Sequence, residues 1–188
     1  MSVGRPRASS REVLAEAACE LFLERGFVST SLSQIASRAG VSRSSFFNYF
    51  DSKSDILWAG FDERMRATAA ALAAGRGVSQ SLTEFADGFT PDGLSLAIVH
   101  AAPMGLEEEL ERERAIRQLR LARLIAPHLD DAVSDPLRSE VFAAAHAAAV
   151  FAAVWQWART GAGTTSLPDL LARSLLTASE GGTTGALA

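Results

Sequence analysis

Residues 30–53 read TSLSQIASRAGVSRSSFFNYFDSK, and this stretch decides the fold. Its apolar residues recur with helical spacing in two blocks, which predict short helices over 31–39 and 43–50. Gly40 lies between the blocks, where a glycine can take the left-handed backbone of a tight turn at little steric cost. Two short helices joined by a glycine turn are typical of a helix-turn-helix.

Small polar residues stand where both helices begin. Ser31 and Gln34 have the spacing of a capping box, which satisfies the free amides at a helix start. The second helix opens with SRSS at 42–45, small polar residues and one arginine that can approach DNA bases and phosphates. Phe46 and Phe50 share one face and are expected to anchor this helix in a core. A generic three-helix bundle has the same composition, so composition alone leaves both alternatives open.

Helical patterns continue on both sides of this stretch. Apolar periodicity, capping residues and prolines at the breaks predict helices over 9–25, 53–74, 80–89, 92–102, 106–126, 135–160 and 168–179. No segment alternates apolar and polar residues long enough to predict a strand. The chain is therefore predicted to be all-α, with an N-terminal three-helix helix-turn-helix domain over 1–55 and a second helical domain over 56–188.

The composition is that of an ordinary globular protein, with 188 residues, 48% hydrophobic, 21% charged and a formal net charge of -4. The single cysteine, Cys19, excludes an internal disulfide framework and a cysteine-rich zinc module, and favours a cytoplasmic location. The most apolar stretch, 141–158, is interrupted by His146 and Gln156, so no membrane span is predicted. The basic N-terminus is followed by acidic residues and not by an apolar signal segment.

Charge divides unevenly between the two predicted domains. The first 55 residues carry seven basic and six acidic side chains, whereas the rest of the chain carries eleven and sixteen. A small N-terminal module can thus present a basic face although the whole chain is acidic. Arg5 and Arg7 belong to a basic segment, GRPR at 4–7, that precedes the first predicted helix.

The order of residues around the helix-turn-helix carries a specific resemblance. Residues 10–57 closely resemble the DNA-binding domain of the TetR family of bacterial transcriptional regulators. The matching features are LFLERGF at 21–27, the pair Thr30-Ser31, Gln34-Ile35-Ala36, and AGVSRSSFFNYF-DSK-DIL from 39 to 57. The resemblance implies a homodimeric regulator, a repressor sooner than an activator, whose C-terminal helical domain dimerises and binds a small-molecule effector.

The resemblance also implies which residues contact double-stranded operator DNA. They are Arg5, Arg7, Ser31, Gln34, Ser42, Arg43, Ser44, Ser45, Phe47, Tyr49 and Lys53. The start of the second short helix would lie in the major groove, while the start of the first, with Tyr49 and Lys53, would hold phosphates. Phe47 departs from the tyrosine usual in the family and cannot make that tyrosine's phosphate bond. The segment 4–7 either follows the minor groove or is a disordered tail.

A narrower resemblance rests on Phe47, on YF-DSK-DI-W from 49 to 58 and on the FDE sequence at 61–63. These residues are similar to a TetR subgroup that includes actinobacterial regulators linked to mycofactocin genes, some of which sense long acyl thioesters. Such a ligand suits this sequence only if its tail enters a pocket and its charged head stays near solvent.

The C-terminal residues predict a largely apolar effector. Side chains expected to contact it, with one histidine giving a hydrogen bond, are Phe89, His100, Met104, Phe142, His146, Trp155 and Trp157. Ordinary core and dimer packing accounts for the same residues and stays an alternative. The arginines over 112–123 lie beside glutamates, as in the pair Glu113 and Arg117, which indicates a solvated helix face and not a binding site.

No catalytic residues, metal ligands or cofactor are predicted, because the sequence lacks a nucleophile with a base, metal-ligand spacing and a phosphate-binding glycine loop. The chain is thus not expected to be an enzyme. The helices over 135–160 and 168–179, with the alanine-rich stripe 143–149, predict a homodimer interface. Two other functions stay open: a regulator that responds to no ligand, and a helical bundle that binds small molecules without binding DNA.

Overall fold

Helices make up the fold throughout the part of the chain that the structure describes. This computed structural model describes residues 10–129, 135–161 and 164–180. Within these ranges lie α1 (Ser10–Arg25), α2 (Leu32–Arg38), α3 (Arg43–Phe46), α4 (Lys53–Ala73), α5 (Val78–Thr83), α6 (Gly93–Val99), α7 (Ala101–Met104), α8 (Glu107–Ile125), α9 (Pro136–Thr160) and α10 (Leu167–Glu180). Single 3-10 turns follow α5 at Glu84–Ala86 and α8 at Ala126–His128. The predicted all-α class is confirmed.

The N-terminal bundle forms because each of its helices buries one face. The predicted apolar stripe of α1 points inward, with Leu14 and Phe22 each 0% exposed. Ile35 of α2 and Phe46 of α3 complete the same core. Gly40 has a φ of 69°, the left-handed turn that the sequence predicts between α2 and α3. The predicted helix-turn-helix is therefore confirmed.

The second helix of this motif is shorter than the sequence predicts. α3 ends at Phe46, whereas helix was expected as far as Phe50. After α3 the amide of Asn48 donates to the carbonyl of Ser45, a spacing tighter than that of an α-helix. The tighter turn still brings the rings of Phe46 and Phe50 together, with centroids 5.7 Å apart. The predicted aromatic anchor is thus formed without the full helix.

Two segments predicted as single helices are interrupted. The segment 92–102 divides into α6 and α7 at His100. The cause is Pro103, which has no backbone N–H and whose ring would clash with the carbonyl of Val99, four residues earlier, in a continuous helix. The segment 80–89 is likewise replaced by α5 and its 3-10 turn.

α6 and α7 join the N-terminal bundle to the rest of the molecule. The carbonyl of Met104, at the end of α7, accepts a hydrogen bond of 2.7 Å from the amide of Phe27, just after α1. At the start of α6, Gly93 packs on α1 so closely that a Cβ there would lie 3.2 Å from the Cys19 sulfur. Burial raises the pKa of this thiol to about 11, so it stays protonated and inert at neutral pH.

α4 runs from the helix-turn-helix into the C-terminal core. The predicted domain boundary between 55 and 56 therefore falls inside this helix. The ring of Phe61 on α4 meets Phe151 of α9 with centroids 4.7 Å apart, and Phe85 at 5.0 Å. These aromatic contacts fill the space between α4 and α9.

α9 is the long central helix of the C-terminal part. By length and composition it is apolar enough to cross a membrane, with a mean hydropathy of 1.4 over its most apolar window. However, 61% of that window is buried in the fold, and α8 and α10 pack along the helix. α9 is therefore packed as the core helix of a globular domain is.

Candidate nucleic-acid interface and ligand region

The start of α2 presents two donor groups at the surface. The predicted capping box is formed, because Ser31 Oγ accepts from the amide of Gln34 at 3.3 Å and the amide of Ser31 donates to Gln34 Oε1 at 2.7 Å. Both side chains use acceptor oxygens for these bonds. The hydroxyl hydrogen of Ser31 and the side-chain NH₂ of Gln34 thus stay available to donate to a phosphate.

The start of α3 is polar on its outer side and apolar on its inner side. Ser42 caps the helix by accepting from the amide of Ser45 at 3.1 Å. Ser42, Arg43 and Ser44 are exposed, whereas Phe46 is fully buried. Among the described residues Arg43 has no carboxylate partner, so its guanidinium is free to reach a base edge or a phosphate.

Phe47 and Tyr49 lie at the surface beside α3. Their exposed fractions are 47% and 44%, although the neighbouring Phe46 and Phe50 are buried. The ring of Phe47 packs edge-on against Phe46, with centroids 5.5 Å apart, which holds it next to α3. An apolar ring at this position can make contact with DNA only through its faces and edge, because it has no hydroxyl group.

Lys53 has a structural role that the sequence did not predict. Its Nζ donates to the carbonyls of Phe27 and Thr30, at 2.7 and 2.8 Å, and lies 4.3 Å from the centre of the Phe27 ring. Burial lowers the pKa of this ammonium. Two of its three protons thus hold the turn between α1 and α2, which leaves one for the predicted phosphate contact.

Arg38 has a structural role that the sequence did not predict either. Its guanidinium binds Glu20 at 3.1 Å and Glu24 at 2.8 Å, which ties α2 to α1. The hydrogen bond from Arg38 lowers the pKa of Glu24. This bridge compensates two carboxylates at the surface of the N-terminal bundle. The predicted arm residues Arg5 and Arg7 lie outside the described residues.

The residues predicted to line an apolar cavity lie in separate surroundings. Trp157 meets Phe89 with ring centroids 5.2 Å apart, whereas Trp155 packs on Trp58 of α4 at 5.8 Å. Successive residues of a helix are about 100° apart, so positions two apart point to nearly opposite sides. The two tryptophans of α9 therefore do not share one pocket.

The other predicted ligand residues have structural partners. Met104 is fully buried at the contact with α1, and half-buried His100 ends α6. His146 is 9% exposed, and its Nδ1 donates to the carbonyl of Phe142 at 2.8 Å. This placement agrees with core packing, the alternative that the sequence left open for these residues.

The charged face of α8 is not wholly solvated, which corrects the sequence interpretation. The side chain of Arg117 is 3% exposed and binds Asp62 of α4, at 2.8 Å, as well as its predicted partner Glu113. Its guanidinium also lies 4.5 Å from the centre of the Trp58 ring. Burial alone would lower the pKa of Arg117, but hydrogen bonds and charge from Asp62 and Glu113 raise it overall.

A groove between α9 and α10 marks the candidate dimer face. It has a volume of about 420 Å³ and is lined largely by alanines, among them Ala148 and Ala152. Three exposed apolar side chains lie on the same two helices: Leu137 at 69%, Val141 at 59% and Leu176 at 60%.

Several residues predicted for that face are instead part of the protomer core. Ala147 is 0% exposed, and Leu170, Leu171 and Leu175 are 2 to 7% exposed. These residues pack α10 on α9 within one chain, because their side chains point toward the other helix.

Within the described residues no group of three or more His, Cys, Asp or Glu side chains is arranged to hold a metal ion.

Sequence comparison identifies relatives of the N-terminal part. Residues 14–59 match the family described as bacterial regulatory proteins, tetR family. A stretch of 63 residues is 36% identical to MftR of Mycobacterium tuberculosis, which is named as a mycofactocin biosynthesis transcriptional regulator. That match covers 34% of this chain and 32% of the relative, so it spans about a third of the relative's length.

Solved structures resemble the chain over almost its whole length. FadR of Thermus thermophilus, a TetR-family transcriptional repressor solved in complex with lauroyl-CoA, is 29% identical with a TM-score of 0.52, over 91% of this chain and 94% of that one. NalD of Pseudomonas aeruginosa, the secondary repressor of the MexAB-OprM multidrug efflux pump, is 21% identical with a TM-score of 0.59, over 92% and 94%. The likeness to NalD is one of fold.

Proposed function

Because the chain is a TetR-family transcriptional regulator with a helix-turn-helix DNA-binding domain, we propose that it represses transcription as a homodimer on operator DNA. A small, largely apolar ligand binds the domain over 56–188 and releases the protein from DNA. The domain over 1–55 makes the DNA contacts. The proposal places the protein in the cytoplasm and gives it no enzymatic activity.

The observation that carries the proposal is the exposed polar start of α3. Ser42, Arg43 and Ser44 face solvent at the start of α3, whose inner side is anchored by Phe46. A rigid helix that presents one unpaired guanidinium among small side chains can enter a major groove without steric conflict. The donors of Ser31 and Gln34 support the same orientation, since phosphate contacts fix a protein on the duplex.

Dimerisation is supported by the groove between α9 and α10. Leu137, Val141 and Leu176 are large apolar side chains that one protomer leaves in water, which favours their burial against a second copy. A two-fold dimer carries two recognition helices and reads two half-sites about one DNA turn apart, roughly 34 Å. Operator DNA would therefore have two-fold symmetry.

Ligand release is supported by the relatives. The FadR structure with lauroyl-CoA shows that a protein 29% identical to this chain binds an acyl thioester. The C-terminal core here is rich in aromatic rings, such as the pair Phe89 and Trp157, which offer an apolar ligand surface to contact. Such a ligand acts by favouring one of two dimer geometries, and only its differential affinity for the two can release DNA.

Selection of bound sequences from a random DNA library tests the proposal. Full-length protein is expected to enrich one motif with two-fold symmetry, and Arg43→Ala is expected to lose preference at a matched position in each half-site. Arg66→Ala, an exposed arginine on α4, serves as the control variant. Enrichment of no motif by the wild-type protein would contradict DNA-binding function, and an asymmetric motif would contradict the dimer.

A further inference from the structure

A small, partly open cavity lies where α8 and the end of α9 pack on α6 and α7. Its volume is about 190 Å³, the share of roughly six water molecules in the liquid. Ile98, Ala101 and Leu110 form its apolar wall, and Trp155 closes one side. A cavity of this size and lining suits a compact organic molecule.

Two arginines border this cavity without carboxylate partners. Arg114 is partly buried and its guanidinium lies 4.7 Å from the centre of the Trp155 ring. Within the described residues neither Arg114 nor Arg159 forms an ion pair, although Arg112 and Arg117 on the same helix as Arg114 do. Burial and the positive charge of Arg159 lower the pKa of Arg114, and the negative charge of Glu111 offsets this only in part. Two neighbouring guanidinium groups that form no ion pair repel each other, and an anion between them would relieve that repulsion.

We propose that this cavity binds a compact monocarboxylate, an anion with one carboxylate group and an apolar body about as large as a benzene ring. The carboxylate lies between Arg114 and Arg159, and the apolar body contacts Ile98, Ala101 and Leu110. A planar guanidinium donates two parallel hydrogen bonds to the two oxygens of a carboxylate, a match that a lysine does not provide.

The charges at the cavity favour a single negative charge on the ligand. Glu107 and Glu111 also line the cavity, so two acids accompany the two arginines. These carboxylates repel a phosphate or another multiply charged group more strongly than they repel a monoanion. The apolar wall supplies binding energy only to a ligand whose remaining atoms are apolar.

This site lies apart from the helix-turn-helix and shares only Trp155 with the residues that the sequence predicted for the effector. Arg114 and Arg117 stand one turn apart on α8 and stack on Trp155 and Trp58, whose ring centroids are 5.8 Å apart. A ligand at Arg114 therefore acts on a helix that is ion-paired to α4. Any effect on DNA binding rests on the proposed function, whereas binding to the cavity does not.

Isothermal titration of DNA-free, full-length protein tests the site. Sodium benzoate is the probe, and benzamide, its neutral counterpart, and inorganic phosphate are the comparison ligands. We expect benzoate to bind at one site per chain, and at least about tenfold more weakly to Arg114→Gln and to Arg159→Gln, since each loses charge-assisted hydrogen bonds. Arg123→Gln, which changes an exposed arginine of α8, is expected to bind as the wild type does.

Arg114→Lys keeps the positive charge. It is the control for the possibility that Arg114→Gln binds benzoate weakly only because it does not fold. It is expected to bind benzoate more weakly than the wild type and more tightly than Arg114→Gln. The proposal is overturned if benzoate does not bind the wild type, if benzamide or phosphate binds as tightly, or if Arg123→Gln loses as much affinity as Arg114→Gln. Loss of operator recognition by the wild type would refute the proposed function and leave this result standing.

Discussion

The Arg117 guanidinium of α8 donates two hydrogen bonds, each 2.8 Å long, to the two carboxylate oxygens of Asp62 on α4. This is the planar two-point geometry in which arginine and a carboxylate interact most strongly. Asp55 lies 3.5 Å from the same guanidinium, and Glu113 binds it from within α8. One buried cation thus compensates three carboxylates where α8 meets the helix that leaves the DNA-binding bundle.

Replacing Arg117 with leucine is expected to destabilise the protein strongly. The change leaves Asp62, Asp55 and Glu113 close together without their cation, and breaking a buried pair in this way costs about 3–5 kcal/mol. Urea unfolding followed by circular dichroism measures the free energy of unfolding. Arg120→Leu, on an exposed position of the same helix, is the control and should change it little. Equal stability of the two variants would show that the ion pair contributes nothing.

Asp92→Asn is expected to stabilise the protein at neutral pH. Asp92 caps α6 by accepting from the amides of Leu94 and Ser95, both at 3.1 Å, and asparagine can keep this cap. Burial raises the pKa of Asp92, although the cap hydrogen bonds lower it in part. The pKa of Asp92 is higher in the folded than in the unfolded protein, so folding favours the protonated form. The free energy of unfolding therefore falls as the pH rises through that folded pKa.

The advantage of Asp92→Asn should therefore be largest at neutral pH and vanish below the ordinary pKa range of aspartate. Thermal unfolding of both proteins between pH 3 and pH 8 checks this, with the exposed Asp169→Asn as control. An advantage that does not change with pH would contradict titration of Asp92 as its cause.

Lys53→Met is expected to lower the free energy of unfolding even in the absence of DNA. The variant loses two hydrogen bonds from a charged group to the carbonyls of Phe27 and Thr30, worth roughly 1–3 kcal/mol together. Denaturant unfolding gives the change, and Arg25→Met, an exposed position at the end of α1, is the comparison. If stability were unchanged and only the salt slope of DNA binding fell by about 1, Lys53 would act solely on phosphate.

Arg43→Ala is expected to weaken operator binding and to relax one base preference in each half-site. A guanidinium bidentate to guanine contributes about 1–3 kcal/mol of discrimination against the wrong base. Competition between single-base operator variants measures this, with Arg66→Ala as the control. A loss of equal size on every variant would indicate that Arg43 contacts phosphate alone.

Ala152→Arg is expected to yield a monomer that keeps its helical content. Ala152 is exposed and lines the groove between α9 and α10, where a charged side chain from each protomer would meet its symmetry mate. Sedimentation at micromolar concentration gives the molecular mass. Ala115→Arg, on an exposed position of α8, should remain a dimer, and a dimeric Ala152→Arg would place the interface elsewhere.

Features set by near neighbours in the chain could be predicted from the sequence. The capping box of Ser31 with Gln34 and the left-handed Gly40 depend on residues within four positions, and both are formed as expected. Pro103 carried the signal for the break between α6 and α7, since its ring excludes a continuous helix through Val99. From the sequence this proline predicts a helix end at 102, but the clash of its ring falls four residues earlier, so the break comes at His100.

Contacts between distant segments could not be predicted in the same way. Glu113 lies one turn from Arg117 and was expected as its partner, but Asp62 lies 55 positions away, and nothing local indicates that this face of α8 is buried. The spacing of Trp155 and Trp157 predicts different faces of α9, but it does not predict which elements they contact. Their separation by one residue places them on opposite sides of the helix, against partners on different elements.

The link that α6 and α7 make with α1 has a consequence for how the molecule unfolds. The amide of Phe27 bonds to the carbonyl of Met104, and Gly93 packs on Cys19, so the first bundle is held by contacts between residues more than seventy positions apart. Such contacts make the melting of one part expose surface and free amides in the other, which turns two structural units into one cooperative unit. A heated sample should therefore show a single calorimetric transition, and a fragment that stops before α6 should lack a stable native state of its own.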